Sequence, residues 1–416
     1  MVQLSNDCFA FGGKLMPVEE GVALIASRVS AVDVVENLPL HLCDNRVLAE
    51  DLRAPVPLPL FNNSAVDGYA LRSADLPVDQ PQIFPIAARV QAGSVADGIA
   101  PRTVVRIFTG APMPPGSDTV FMQEDVEVSG NTVTLPAGLK PGANMRPAGE
   151  DVAEGALAIK AGTRLRPQHV ALAAALGLTT LAVRRRIRVA IFSTGNEVVA
   201  PGEARTSAQL FDSNRFMLAA MLRRFNCEVD DLGILRDERA PLADALQKAA
   251  QTHDLVLTSG GVSAGEEDHV RAGVESIGSL VLWSMAIKPG RPVAMGVISG
   301  TPFIGLPGNP VASFVTFAYV VRPTILALSG AQPEAFFALP VRANFTYKKK
   351  KGRREYVRAS LARLADGAVE ATKFPREGAG LLSSLSDTDG LVELGEDVER
   401  VSPGDSVNFL PYASLL

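Results

Sequence analysis

Cysteine is scarce in this chain: three occur in 416 residues (Cys8, Cys43 and Cys227), with no CxxC pair. A disulfide framework or a structural zinc site is therefore not expected, and a reducing, cytoplasmic location fits. Histidine is equally sparse. His41, His169 and His253 show no ligand spacing and His269 follows Asp268 without an identifiable partner, so a transition-metal site is not expected either. Long apolar runs are missing. The best candidate, residues 170–183, is broken by Gly177 and two threonines and falls short of the roughly 18–20 residues that cross a bilayer. The opening MVQLSNDCFAFGGKLMP lacks a basic start followed by an apolar stretch, so no signal peptide is expected. Neither a Walker A motif nor GxGxxG occurs, which disfavours an ATPase or a dinucleotide dehydrogenase. With 40 basic against 45 acidic side chains the net charge is −5, which argues against nucleic acid or a membrane surface as partner.

What is present is the balance of a globular chain, 47% apolar and 20% charged, at a length that implies two to four domains. Residues 17–53 have a helical pattern, with Val18, Leu24, Ile25, Val29, Val32, Val34 and Val35 among charges. The proline-rich stretch at 54–61 ends it. Short β-type runs separated by Gly and Pro then continue to about residue 142. A mixed segment follows and closes with PQHVALAAALG, a short helix with Pro167 near its start and Gly177 at its end. These textures predict an N-terminal helical and mixed domain (1–53 and 143–181) interrupted by an inserted β domain (54–142). From residue 182 to 329, strands and helices alternate, which implies a doubly wound parallel α/β domain with helices on both faces. Residues 330–416 revert to short strands, expected as a small C-terminal β-barrel or sandwich. The fold class expected is thus multidomain, α/β and β.

In an open parallel sheet, ligands bind beyond the carboxyl ends of the strands. The loops there are rich in glycine and charge: STGNEVVAPGE, RDE, TSGGVSAGEEDH, a hairpin carrying AIKPGRPVAMG, and LPGNPVASF. Ser259, Gly260 and Gly261 form one candidate anion cradle, and Pro307, Gly308 and Asn309 another, with Pro310 opening a helix behind it. Each alone is equally an ordinary capped turn; two in one sheet point to a phosphate-type ligand. Thr194 and Gly195, and Pro289, Gly290 and Arg291, are further candidate binding positions. Glu197, Asp237 and Asp268 follow strands and Asp212 opens a helix, where capping is the plainer role for Asp212. Carboxylates gathered at one edge beside a phosphate cradle favour a hard cation, so Glu197, Asp237 and Asp268 are candidate Mg²⁺ ligands. Lys288 and Arg291 offer fixed positive charge for an oxyanion. Asp67, in SAVDGYA, is by itself a turn aspartate. KKKKGRR (348–354) is the one strong charge cluster, most simply a solvated hairpin turn.

These residues carry a resemblance. In order, NDCF, KLMPVEEGVALI, PLFNNSAVDGYALR, RIFTGAPMPPGSDTV, MRPAGEDV, IFSTGNEV, FDSN, GILRDE, LTSGGVSAGEEDHV, AIKPGRP, GLPGNPVASF, GRREYVRA and GLLSSLSDTDGL resemble the molybdopterin molybdotransferases, the MoeA family, over nearly the whole chain. The resemblance implies four domains, an α/β domain similar to the molybdopterin adenylyltransferases, and an elongated homodimer whose cleft is completed by the partner's β domain. It places the family's important acids at Asp67, Glu197, Asp237 and Asp268, its important lysine at Lys288, and GRREY near the cleft. The implied reaction is Mg²⁺-dependent insertion of molybdenum from molybdate into adenylylated molybdopterin with release of AMP. The implied partners are the adenylyltransferase and acceptor molybdoenzymes. Departures occur: Val66, Asn196 and Phe211 stand where relatives often have Met, Asp and Tyr, and Ser284 stands four residues before Lys288 where a lysine is common. Two rival readings share parts of the fold. One is a non-catalytic carrier or scaffold for the cofactor, as gephyrin's E domain can be. The other is a pyrophosphatase or amidohydrolase of the competence-protein type, which explains neither of the β domains.

Overall fold

The computed structural model describes residues 4–5, 15–95, 97–235, 239–260 and 269–416. Its first helix, Val18–Arg28, buries Val18, Gly21 and Ile25 along one stripe. Glu19 and Glu20 in the first turn and Arg28 in the last complement the helix dipole. The helical pattern expected across 17–53 goes no further than this. Val35–Pro39 is instead a strand paired antiparallel with Thr180–Arg184. Its residues alternate between exposed and half-buried, the two-residue period of a strand, and β-branched Val34 and Val35 ahead of Pro39 are poor helix formers. Leu52–Arg53 pairs with Leu157–Ile159. The helix Pro167–Ala175, with proline in its first turn, covers a core of Cys43, Leu48, Ile159, Leu165, Ala173, Leu181 and Val183. Two stretches far apart in sequence therefore share one small core.

Between those stretches lies a six-stranded sheet in the order Thr119–Met122, Gly68–Leu71, Val104–Ile107, Gln82–Val90, Thr132–Leu135, Glu127–Ser129. Tyr69, Leu71, Phe84, Val104, Phe121, Val133 and Leu135 pack its interior. Asp67 directly precedes the strand Gly68–Leu71.

The central sheet also has six strands, in the order Glu228–Leu235, Arg188–Thr194, Leu255–Ser259, Thr301–Leu306, Pro292–Ile298, Gly278–Ser284. Five strands run in one direction and only Pro292–Ile298 runs against them, so the expected parallel sheet contains one reversed strand, in the hairpin region that carries AIKPGRP. The cause is local. Ser299 (φ 48°) and Gly300 (φ 85°) make a two-residue left-handed turn between Pro292–Ile298 and Thr301–Leu306, which can only return the chain antiparallel. Helices cover both faces: Leu218 and Leu222 with Phe314 and Val315 on one, Leu242 and Leu246 with Val270 and Val274 on the other. Pro310–Leu328 is one continuous helix of 19 residues. It corrects the expectation that no apolar run is long enough to span a bilayer, since it is so by length and composition, yet it is mostly buried inside the protein. Its polar Ser313 and Thr316, and prolines at 310 and 323, break the run in sequence. A π-helical turn at Phe317–Val321 precedes Pro323, where an α-helical ladder would lose a donor.

The C-terminal strands close into a ring. Arg354–Arg363 pairs with Val369–Lys373, and the order continues through Leu339–Ala343, Ser406–Pro411 and Gly390–Leu394 back to Arg354–Arg363. This five-stranded barrel is joined to the central domain by Ile287–Lys288, which lies parallel to Arg354–Glu355. That pairing builds the cleft.

Candidate functional site

Three parallel strands, Arg188–Thr194, Leu255–Ser259 and Thr301–Leu306, run side by side and end at one edge of the central sheet. Thr194, Gly195, Ser259, Gly260, Pro307 and Gly308 are thereby gathered, as the strand-end loops predicted. A residue that the sequence reading passed over ties them together. Asn214, first in the helix Asn214–Arg224, donates from Nδ2 to Ser259 Oγ (2.9 Å) and to the Gly308 carbonyl (2.7 Å). The bond to a carbonyl fixes which end of the amide is nitrogen, so Oδ1 faces elsewhere. It is buried and without a hydrogen bond, as are the hydroxyls of Ser193, Thr194 and Thr258. Orphaned polar atoms concentrated at adjacent strand ends are what a polar ligand would satisfy. Asp212 keeps the plain role expected of it, accepting from the Arg215 backbone (3.3 Å) and from Arg215 Nε (2.8 Å) at the start of that helix.

The two cradles are less open than the glycines suggest. The Gly260 amide donates to the Leu306 carbonyl at 3.0 Å, and the Val311 amide, at the tip of the core helix, to the Ala379 carbonyl at 3.0 Å. A Cβ on Gly308 would meet nothing within 4 Å, so free space adjoins that loop. Asn309 is the N-cap by position but forms no side-chain cap bond, and among the described residues its side-chain amide has no hydrogen-bond partner. Glu197 is exposed in the turn after Arg188–Thr194 and folds back over Gly195, where a Cβ would strike its carboxylate. Among the described residues that carboxylate has no hydrogen-bond or ion-pair partner. Asp237, Asp268 and Gly261 lie outside the described residues. Among the described residues no group of three or more His, Cys, Asp or Glu is arranged to hold a metal ion.

Lys288 sits where the central domain meets the barrel. Its Nζ reaches Glu355 Oε2 at 3.2 Å and Tyr347 Oη at 3.3 Å. Glu355, only 1% exposed, also accepts from Tyr347 Oη (2.8 Å) and Arg353 Nε (2.8 Å). Burial pushes this carboxyl up, but bonds from Tyr347, Lys288 and Arg353 outweigh it and hold it below the ordinary range. Burial, then Glu355, raise the Tyr347 phenol, which stays protonated as a donor. Gly290 is required here: at φ 108° its added Cβ would come within 2.7 Å of Thr316 Cγ2 on the core helix. Lys288, Pro289 and Gly290 form one wall of a cavity of about 340 Å³; Pro307, Asn309 and Ala312 continue it, and Tyr347, Arg358, Lys373 and Arg376 face them from the barrel.

Arg358 is the cation that sequence reasoning missed. It is 8% exposed and bonds Ser384 Oγ (3.0 Å) and the Gly378 carbonyl (3.1 Å), with no carboxylate ion pair among the described residues. Burial lowers its pKa, yet a guanidinium at neutral pH remains charged. A buried, unpaired cation beside a cavity calls for an anion. Its only sequence signal was its place in RREYVRA. Arg291 is exposed and has no ion pair among the described residues, while its carbonyl accepts from Met285 (2.7 Å).

Asp67 stands apart. Its carboxylate accepts from the Thr109 backbone and hydroxyl, both at 2.8 Å, and these bonds hold it below the usual carboxylate range. Among the described residues Thr109, in the turn after Val104–Ile107, keeps Asp67 within its own β domain, and no hydrogen bond or ion pair carries residues 60–147 to the central domain.

Comparison with known proteins decides what this arrangement belongs to. Residues 16–177 match the MoeA N-terminal region (domain I and II), residues 190–327 a probable molybdopterin binding domain, and residues 340–412 the MoeA C-terminal region (domain IV). A molybdopterin molybdenumtransferase of Haemophilus influenzae is 38% identical over 387 residues, covering 92% of this chain and 95% of that one. The chain belongs to the MoeA family. Molybdopterin molybdenumtransferase 2 of Mycobacterium tuberculosis is 33% identical, over 93% of this chain and 97% of that one. A crystal structure of a MoeA molybdopterin biosynthesis protein from Pyrococcus horikoshii superposes with a TM-score of 0.81 at 29% identity, covering 96% of this chain and all of that one. The MoeA arrangement thus spans the inserted β sheet, the central domain and the barrel together.

Proposed function

We propose that this MoeA-family chain is a molybdopterin molybdotransferase, which takes molybdate and adenylylated molybdopterin, cleaves the pyrophosphate bond, releases AMP and leaves molybdenum on the dithiolene. Relatives that cover nearly the whole chain carry the name molybdopterin molybdenumtransferase. The observation that carries the reading onto these residues is the cavity between the central domain and the barrel. Lys288 and the buried Arg358, which has no ion pair among the described residues, face it, next to the strand ends where Asn214 and Thr194 leave polar atoms unsatisfied. That pairing suits two substrates side by side: a small oxyanion on the cations, and an adenylylated pterin on the strand-end loops.

Within this reading, Lys288 and Arg358 bind the oxyanion, and Glu355 and Tyr347 orient the Lys288 ammonium. Asn214 keeps the Ser259 and Gly308 loops at fixed spacing and offers Oδ1 to an N–H donor of the substrate. The uncommitted Glu197 carboxylate fits a hard divalent cation, with Asp237 and Asp268 as the further ligands that the sequence pattern assigns. Bound there, Mg²⁺ would neutralise phosphate charge as a Lewis acid. Asp67 would reach this cleft from a second copy of the chain, because its bonds keep it within its own β domain. The active form is then a homodimer with two composite sites, working in the cytoplasm and exchanging substrate and product with the adenylyltransferase and acceptor molybdoenzymes. The test is AMP release from adenylylated molybdopterin with Mg²⁺, with and without molybdate. Release that requires molybdate and is lost in Lys288→Ala supports the reading; tight binding of the pterin with no release refutes it.

A further inference from the structure

The basic run at residues 348–354 divides into two tasks. Lys349 is buried and donates from Nζ to the carbonyls of Gly395 and Val398, both at 2.8 Å, which pins the turn. Lys350 and Lys351 stay exposed. With Arg353 they line a second cavity of about 280 Å³, which shares Lys288, Pro289 and Gly290 with the first and adds Arg291. Among the described residues its wall thus has five cations and no carboxylate. The nearby acids neutralise it only in part. Glu355 is shared by Lys288 and Arg353, and Lys351 reaches the exposed Glu399 at 3.7 Å, a surface pair that screens weakly. Lys350 and Arg291 have no ion pair among the described residues. In a chain of net charge −5, this is a local positive field placed against Lys288.

We infer that the second cavity is a capture site for a divalent tetrahedral oxyanion, which it delivers past Lys288 to the first cavity. The inference rests on the proposed reaction, in which such an oxyanion is the substrate. Three features carry it. Like charges lining one concavity focus the field and raise the local concentration and on-rate of a small anion. The space is about nine water volumes at roughly 30 Å³ each, enough for an oxyanion that keeps part of its hydration shell. Lys288 belongs to both cavities, so its ammonium can stay with the anion as it passes.

The test compares Lys350→Gln/Lys351→Gln with wild type, using Lys348→Gln, whose side chain lines neither cavity, as the control. Molybdate-dependent AMP release is measured across molybdate concentration and ionic strength. The double variant is expected to raise KM for molybdate about three- to tenfold, to keep kcat within about twofold, and to flatten the fall of kcat/KM with salt. The control should change none of these. Calorimetric titration with inorganic molybdate, then with inorganic phosphate, provides a second arm that does not depend on turnover. Weaker molybdate binding by the double variant supports capture. Phosphate binding that is both tighter and the one lost would assign the cavity to a phosphoryl group, such as that of AMP, and overturn delivery. Unchanged KM and salt slope in an active enzyme would overturn it as well. A wild type that releases no AMP with molybdate would defeat the proposed reaction instead, leaving the titration to decide the cavity.

Discussion

Three donors converge on Glu355, and the surroundings of the site follow from that one buried carboxylate. Glu355→Gln keeps the shape and removes the charge. Because Lys288 and Arg353 remain 46% and 38% exposed and can turn to water, the stability loss should be only about 1–2 kcal/mol at pH 7. The folded carboxyl lies below its unfolded value of about 4.3. Its contribution is therefore complete above that value and disappears as pH falls through the depressed folded one. Urea unfolding of wild type and variant should differ at pH 7, and the difference should shrink as pH falls below the unfolded value; a constant difference at every acidic pH where the protein still folds would contradict the assignment. Asn214→Leu removes the donor that Ser259 and Gly308 share. It should cost about 1–3 kcal/mol and raise KM for the adenylylated pterin more than KM for molybdate. Lys288 was legible in the sequence because proline and glycine flank it in AIKPGRP. Arg358 and Asn214 were not, since an arginine within a strand and an asparagine at a helix start carry no local mark of what they will face.

Elements that obey a local period were legible, and those fixed by distant pairing were not. The alternation of strands and helices between 182 and 329 was plain because each strand ends in glycine or a cap signal. Val35–Pro39 has a strand's alternation over only five residues, too short to stand out, and its partner Thr180–Arg184 lies far along the chain. The parallel pairing of Ile287–Lys288 with Arg354–Glu355, which shapes the cleft, had no sequence signal either. That junction makes a sharp prediction. Gly290→Ala combines a strained φ with a collision at Thr316 Cγ2 and should destabilise by about 2–4 kcal/mol. Adding Thr316→Ser removes the obstructing methyl but not the strained φ, so thermal unfolding should show partial recovery. Full recovery, or no loss in the single variant, would contradict this packing.

Across the whole molecule, the site residues fall into two sets. Lys288 and Arg358 line the cavity between central domain and barrel, Asn214 and Glu197 lie at the strand ends of the central sheet, and Asp67 keeps to its own β domain. The proposed homodimer, with composite sites, would join the two sets; the family resemblance implies it, and no single motif does. Mixing two inactive variants tests the reaction and the composite site together. Purified Asp67→Ala and Lys288→Ala are each expected to give no molybdate-dependent AMP release. After subunit exchange at equal amounts, about half the dimers are mixed, and each has one intact site if Asp67 and Lys288 come from different subunits. The mixture should then recover about a quarter of the wild-type rate. A mixture that stays inactive after verified exchange, beside an active wild type, would contradict the composite site; an inactive wild type would contradict the transferase itself.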